Sequence, residues 1–214
     1  MQSSAMVHVI DDDEALRESL SFLLNAAKFK VRAYESAEKF LDAMGHAEPG
    51  CIITDVRMPG ITGLELIRRL KAKHAAFPVI VISGHADVPL AVEAMKLGAV
   101  EFLEKPFDED ALRSAVLGAL NRREQDSKRD LERNIIEERI ATLSQRQRQV
   151  LLGLVAGQPN KTIAFDLGIS PRTVEIYRAN VMTKMEAKSL SDLVRMALMA
   201  GLLNEASGPS SASG

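Results

Sequence analysis

Four short apolar runs in this 214-residue chain end in side chains that can handle a phosphoryl group. Residues 7–10 lead into Asp11, Asp12 and Asp13, and residues 51–54 end on Asp55. Residues 79–82 end on Ser83, and residues 100–103 give way to Glu104, Lys105 and Pro106. If these runs are neighbouring parallel strands, their ends lie ~5 Å apart, so Asp11, Asp12 and Asp55 converge. Three carboxylates that close do not stay ionised cheaply without a cation. A hard oxygen donor set with room for water suits Mg²⁺ or Mn²⁺, and Mg²⁺ takes one or two carboxylates together with phosphate oxygens. Lys105 brings a positive charge and Ser83 a hydroxyl donor. A metal, a lysine and a hydroxyl around one carboxylate stabilise phosphoryl transfer to that carboxylate. Asp13 has the more ordinary reading of a helix cap.

A second group of residues has the chemistry to bind a polyanion. Asn160 can cap a helix over 161–167, where Ile163, Ala164 and Leu167 form an apolar stripe. Gly168 then makes a tight turn, and Ser170-Pro171 opens the next helix with a cap and a proline at its first position. Helix, short glycine-containing turn and helix is the helix-turn-helix pattern. In its second helix Val174, Tyr177, Val181 and Met185 share one face and should be core. The N-terminal end of such a helix enters the major groove, which places Arg172, Thr173, Glu175, Ile176 and Ala179 to meet DNA. Lys161, Arg178, Asn180 and Lys184 suit phosphate contacts, which position without reading sequence.

These residues must be held by two different architectures. Strand candidates at 7–10, 30–34, 51–55, 79–83 and 100–104 alternate with amphipathic helical stretches, which implies an α/β doubly wound, five-stranded parallel sheet. In such a sheet ligands sit at the carboxyl ends of the strands. Residues 124–139 are highly charged and lack Gly and Pro, as expected of a helical linker. Residues 140–205 show helical patterns only and predict an all-α four-helix domain, with Ser144 and Gln147 forming a capping box on its first helix. Residues 206–214 are of low complexity and predict a disordered tail.

Composition agrees with two partners of opposite charge. Residues 1–123 carry 18 acidic against 15 basic side chains, whereas residues 140–200 carry 4 acidic against 8 basic. No apolar run approaches the ~20 residues of a membrane span, and the N-terminus lacks a secretory pattern. The single cysteine, Cys51, reads as a small buried hydrophobe in a reducing compartment, so a cytoplasmic protein is expected.

The stretches VIDDDEALRESL, IITDVRMPGITGLELI and VISGHADVPLAVEAMKLGAVEFLEKPF resemble the receiver domains of two-component response regulators, over roughly residues 6–122. The resemblance implies Asp55 as phosphoacceptor, with Asp11, Asp12 and the backbone carbonyl of Arg57 joining it around the metal. It also implies Lys105 as the phosphoryl-pairing cation ahead of a cis bond to Pro106. Ser83 stands where the family has Thr or Ser, and Phe102 where it has a switch aromatic, although alternation along 100–103 leaves the side of Phe102 open. The phosphodonor would be a sensor histidine kinase. Phosphatases of the haloacid-dehalogenase type also use a strand-end Asp nucleophile, but they need a second Asp two residues on, and here that position is Arg57. A switch is therefore favoured over an enzyme.

The segment LSQRQRQVLLGLVAGQPNKTIAFDLGISPRTVEIYRANVMTKMEAKSLSDLVRMAL is similar throughout to the LuxR/FixJ-type output domain. Gln147 and Gln149 depart from the usual glutamates, a loss of negative charge expected to raise nonspecific DNA affinity. The resemblance implies binding to double-stranded promoter DNA, cooperation with RNA polymerase and activation of nitrogen-fixation or microaerobic genes. The mechanism expected is a phosphoryl group on Asp55 that draws in Ser83 and Lys105 and lets Phe102 bury. That change favours a homodimer through the fourth helix, fifth strand and fifth helix, roughly residues 89–120. An output domain that docks on a protein instead of DNA is the alternative, and the basic charge argues against it.

Overall fold

The computed structural model describes residues 5–84 and 88–202, which lie in two units, Met1–Asp126 and Ser127–Gly214. In the first unit five parallel strands, β1 (Met6–Ile10), β2 (Lys30–Tyr34), β3 (Gly50–Asp55), β4 (Val79–Ser83) and β5 (Glu101–Glu104), lie in the order β2-β1-β3-β4-β5. Around them run α1 (Glu14–Ala26), α2 (Ala37–Ala43) with a 3-10 turn at Met44–His46, α3 (Gly63–Ala72), α4 (Val88–Leu97) and the start of α5 (Glu109–Ala141). The central strands β1, β3 and β4 are buried along their whole length, so they read as continuous apolar runs with helices covering both faces. Their side chains alternate between two cores. Val7, Val9, Ile53 and Ile82 join Leu20, Leu24, Leu112 and Val116, while Ile10, Ile52 and Val81 join Phe40, Leu66 and Leu70. The strand order reverses at β1, and the crevice beyond the ends of β1 and β3 is where such a sheet holds its ligand.

In the second unit α6 (Gln145–Val155), α7 (Asn160–Leu167), α8 (Pro171–Met185) and α9 (Leu190–Met199) close on one core. Val150, Leu151, Leu154, Ile163, Val174, Val181, Met185, Leu193 and Ala197 fill it, and Tyr177 packs against it half-buried. The capping box on α6 is present, with Ser144 Oγ accepting from Gln147 N and the Gln147 side chain accepting from Ser144 N. Gly168 turns the chain after α7 at φ 64°, Ser170 caps α8 and Pro171 opens it. One cap differs from expectation. Asn160 is already helical, and the residue before it, Pro159, is the extended cap residue and makes no side-chain cap bond.

The expected helical linker is helical throughout, as part of one unbroken helix α5. The division between the units falls at Asp126 and Ser127, so the last turns of α5 count with the second unit. The expected tail, 206–214, lies outside the described residues. Cys51 is fully buried and its thiol is pushed up to about 12 by that burial, which leaves it unreactive. Among the described residues no helix is long and apolar enough to cross a membrane.

Candidate functional site

At the carboxyl edge of the sheet, register sets Ile10 beside Thr54 and Asp55 beside Ile82. Asp11 and Asp55 therefore emerge as neighbours, 2% and 8% exposed. Lys105, at the end of β5, reaches across to both, with Nζ 2.7 Å from Asp55 Oδ1 and 3.4 Å from Asp11 Oδ2. The other Asp55 oxygen accepts the Arg57 backbone N–H at 2.7 Å. Asp11 Oδ1 accepts the Asp13 N–H at 2.9 Å, and Asp13 caps α1 by accepting from Ala15 and Leu16. Burial, with a smaller push from the negative Asp55, holds the Asp11 carboxyl above its ordinary range despite Lys105 and the Asp13 N–H.

Backbone features aim these groups. The Lys105–Pro106 bond is cis, and the Lys105 N–H donates to the Ser83 carbonyl at 2.8 Å, tying the ends of β4 and β5 together. Gly63 starts α3 against the carbonyl of Asp55, where a Cβ would sit 2.3 Å from the oxygen, so only glycine fits. From α2, Glu38 accepts the Ile61 N–H at 2.8 Å and pins the loop that follows Asp55. Its carboxyl is lowered by backbone N–H donors, its own and that of Ile61. No pattern in the sequence pointed to Glu38, because the contact joins residues 23 apart in the chain.

Ser83 is buried beside the pair, and Phe102, half-buried, packs on the core of Ile10, Val81 and Ala94, which settles the side left open by alternation. Asp12 is exposed. Among the described residues no group of three or more His, Cys, Asp or Glu side chains is arranged to hold an ion, and what brings Asp11 and Asp55 together is their shared partner Lys105. The donor set still fits a divalent cation: two buried carboxylates share one ammonium, an excess negative charge remains, and the site opens at a sheet edge. A cation that keeps several waters and takes one or two carboxylates matches this arrangement.

In the second unit Arg172, Glu175, Ile176, Ala179 and Asn180 are exposed on α8, while Thr173 and Arg178 are half-buried. Ile176 is 56% exposed, an apolar side chain offered to solvent in the middle of a polar face. Thr173 is partly committed to the cap, its hydroxyl 2.8 Å from that of Ser170. Lys161, Glu175 and Arg178 line one shallow cleft with Pro159, Asn160 and Pro171, so the start of α7 and the flank of α8 form a continuous surface. Lys184, expected at a phosphate, is exposed and also bonds within its own unit. Its ammonium donates to the Thr142 carbonyl (2.8 Å) and to Gln147 Oε1 (3.0 Å), because the turn after α5 and the first turn of α6 each present an oxygen within reach of a flexible stem. Gln147 is correspondingly buried and belongs to the frame of the unit, while Gln149 is half-buried and accepts from Arg146.

Residues 7–117 match the family model described as "Response regulator receiver domain", and residues 141–197 match "Bacterial regulatory proteins, luxR family". A curated relative, the transcriptional regulatory protein FixJ of Azorhizobium caulinodans, is 60% identical over 202 residues, covering 94% of this chain and 96% of that one. The FixJ protein of Bradyrhizobium diazoefficiens is 53% identical over 205 residues, 96% of this chain and 100% of that one. Among solved structures, full-length FixJ from B. japonicum is similar with a TM-score of 0.59 and 53% identity, over 95% of this chain and 100% of that chain.

Proposed function

The chain belongs to the response regulators that join a receiver domain to a LuxR-type DNA-binding domain and regulate transcription, and from that premise we propose that Asp55 is the phosphoacceptor. The observation that carries this reading is Lys105 Nζ held 2.7 Å from Asp55 and 3.4 Å from Asp11 at the ligand edge of the sheet. An Asp55 oxygen attacks the phosphorus of a phosphohistidine on a sensor kinase. The phosphorus–nitrogen bond breaks, its electron pair stays on the imidazole, and that nitrogen takes a proton from solvent. Asp11, Asp55, the Arg57 carbonyl and, from its exposed position, Asp12 would hold a divalent cation, Mg²⁺ or Mn²⁺. When bound, that cation would neutralise charge on the transferring oxygens.

After transfer the new oxygens carry more charge than the carboxylate did, and Lys105 and the Ser83 hydroxyl turn to them. Phe102, already seated on the core beside β4, then buries further and reshapes the face of α4, β5 and α5. The reshaped face pairs with a second copy, and two α8 helices meet adjacent half-sites of promoter DNA. The exposed set Arg172, Glu175, Ile176 and Ala179, with Thr173 at its edge, reads bases, and Lys161, Arg178 and Asn180 hold phosphates. Arg57 stands where a turnover enzyme would keep a general acid, which favours a slow switch. The bound regulator works in the cytoplasm with RNA polymerase on genes of nitrogen fixation or oxygen limitation. Sedimentation and footprinting with and without a small phosphodonor test the reading. The wild-type chain should dimerise and protect promoter DNA on phosphorylation, and Asp55→Asn should do neither. A variant D55N that still responds to the phosphodonor overturns it.

A further inference from the structure

We propose that Arg139 is a positioning residue for the DNA-reading helix, so that the working DNA-binding unit begins upstream of the LuxR-family match at residue 141. Ile136 and Ile140, in the last turns of α5, are buried in the same core as Val181, Met185 and Leu193. Between them, half-buried Arg139 faces the C-terminal end of α8. Its Nη1 donates to the Met185 carbonyl at 3.0 Å, and its Nη2 pairs with the Glu186 carboxylate. The last carbonyls of a helix lack intrahelical partners, and a cation there also meets the negative end of the helix dipole.

Lys184 crosses in the opposite sense, from α8 to the Thr142 carbonyl just beyond α5. Two cations thus lace the end of α5 to the end of α8. Glu186 closes α8 in the left-handed region at φ 53°, which favours glycine, so neighbouring groups hold this end more than the backbone's own preference does. Glu186 itself is largely exposed, and the bond to the Met185 carbonyl carries most of the restraint. Fixing the C-terminal end of a rigid helix sets the pitch at which its first turns, residues 172–179, are offered to a groove. The inference rests on those turns being the DNA-reading face.

The experiment uses the full chain treated with a small phosphodonor and two probes. One is a duplex selected from a random pool by the wild-type protein, and the other a scrambled duplex of equal length. Arg139→Ala is expected to weaken binding to the selected duplex by about tenfold while leaving the scrambled duplex and the salt slope unchanged. Arg139→Lys should recover much of the loss, since an ammonium can still donate to the Met185 carbonyl. Glu186→Gln, which keeps the main-chain bond, should show the same selective loss at about twofold. A salt slope shallower by about one would make Arg139 a phosphate contact and overturn the proposal. Equal losses on both duplexes in step with the unfolded fraction by circular dichroism, or no loss at all, overturn it too. Arg172→Ala on the same probes tests the underlying reading separately: intact selected-duplex binding there removes the DNA-reading face whatever Arg139 does.

Discussion

Two lysines, one in each unit, do the same geometric job in opposite electrical surroundings. Lys105 bridges two buried carboxylates, Asp55 and Asp11. Lys184 bridges two neutral oxygens, the Thr142 carbonyl and Gln147 Oε1. In the receiver unit the functional groups are themselves buried, so burial and neighbouring charge set their chemistry. In the DNA-binding unit most of the groups proposed to meet DNA are exposed, and a frame of polar contacts behind them sets where they point. On the proposed function, one site is tuned electrostatically and the other mechanically, so that one answers to a metal and a phosphoryl group and the other to geometry.

The sharpest break in that comparison is Lys105→Met. Removing the shared cation leaves two buried carboxylates facing each other, and the receiver should lose about 2 kcal/mol in metal-free buffer by urea unfolding. Phosphoryl uptake should vanish with it, and a divalent cation should restore much of the stability and none of the uptake. Next come the exposed groups. Arg172→Ala should cost about 1–3 kcal/mol on a selected duplex alone, while Lys161→Ala should weaken selected and scrambled duplexes alike and lower the salt slope by about one. If the two substitutions behave identically in gel-shift titrations, the division between reading and positioning residues is wrong.

Lys184→Met should lower stability by about 1 kcal/mol, since Thr142 is exposed, so water can replace the ammonium there, and buried Gln147 Oε1 still accepts the Ser144 N–H. No divalent cation should restore it, in contrast to Lys105. A loss as large as that of Lys105→Met would erase the distinction between the two sites. Asp11→Asn removes a carboxyl that burial holds above its ordinary range. A raised carboxyl pKa means stability is lost as pH rises through it, so at neutral pH this variant should melt a few degrees higher without metal (~4 °C) and gain less from Mg²⁺.

The smallest effect belongs to His8, which is fully buried among Tyr34, Phe40 and Phe77 with Nε2 2.8 Å from the Glu48 carbonyl. Burial lowers its pKa, so the unfolded chain binds the proton more readily. Stability is then full above the ordinary histidine value of 6.5 and falls as pH drops below it. His8→Gln should flatten melting temperature between pH 7 and 5, and an unchanged slope would assign the acid sensitivity to other groups.

Much of this molecule was legible in the residues alone. Alternating apolar runs and amphipathic stretches announced the sheet because strands buried on both faces leave no other pattern. The cap at Ser144, the turn at Gly168 and the start at Ser170-Pro171 were readable because they depend on contacts within a few residues. Asp11, Asp55 and Lys105 could be placed together because parallel strands bring their ends to one edge. Tertiary structure alone decided the rest. Which carboxylates converge, the seat of Phe102 and the grip of Glu38 on the Ile61 N–H depend on side-chain directions and on contacts between residues far apart. Lys184 illustrates the limit most clearly: composition and helix position offered it to DNA, and only packing shows its charge turned back to hold α8 in place. Local pattern determines elements and candidate chemistry, because those follow from neighbours along the chain. Distance in sequence hides who meets whom, because that depends on how whole elements pack.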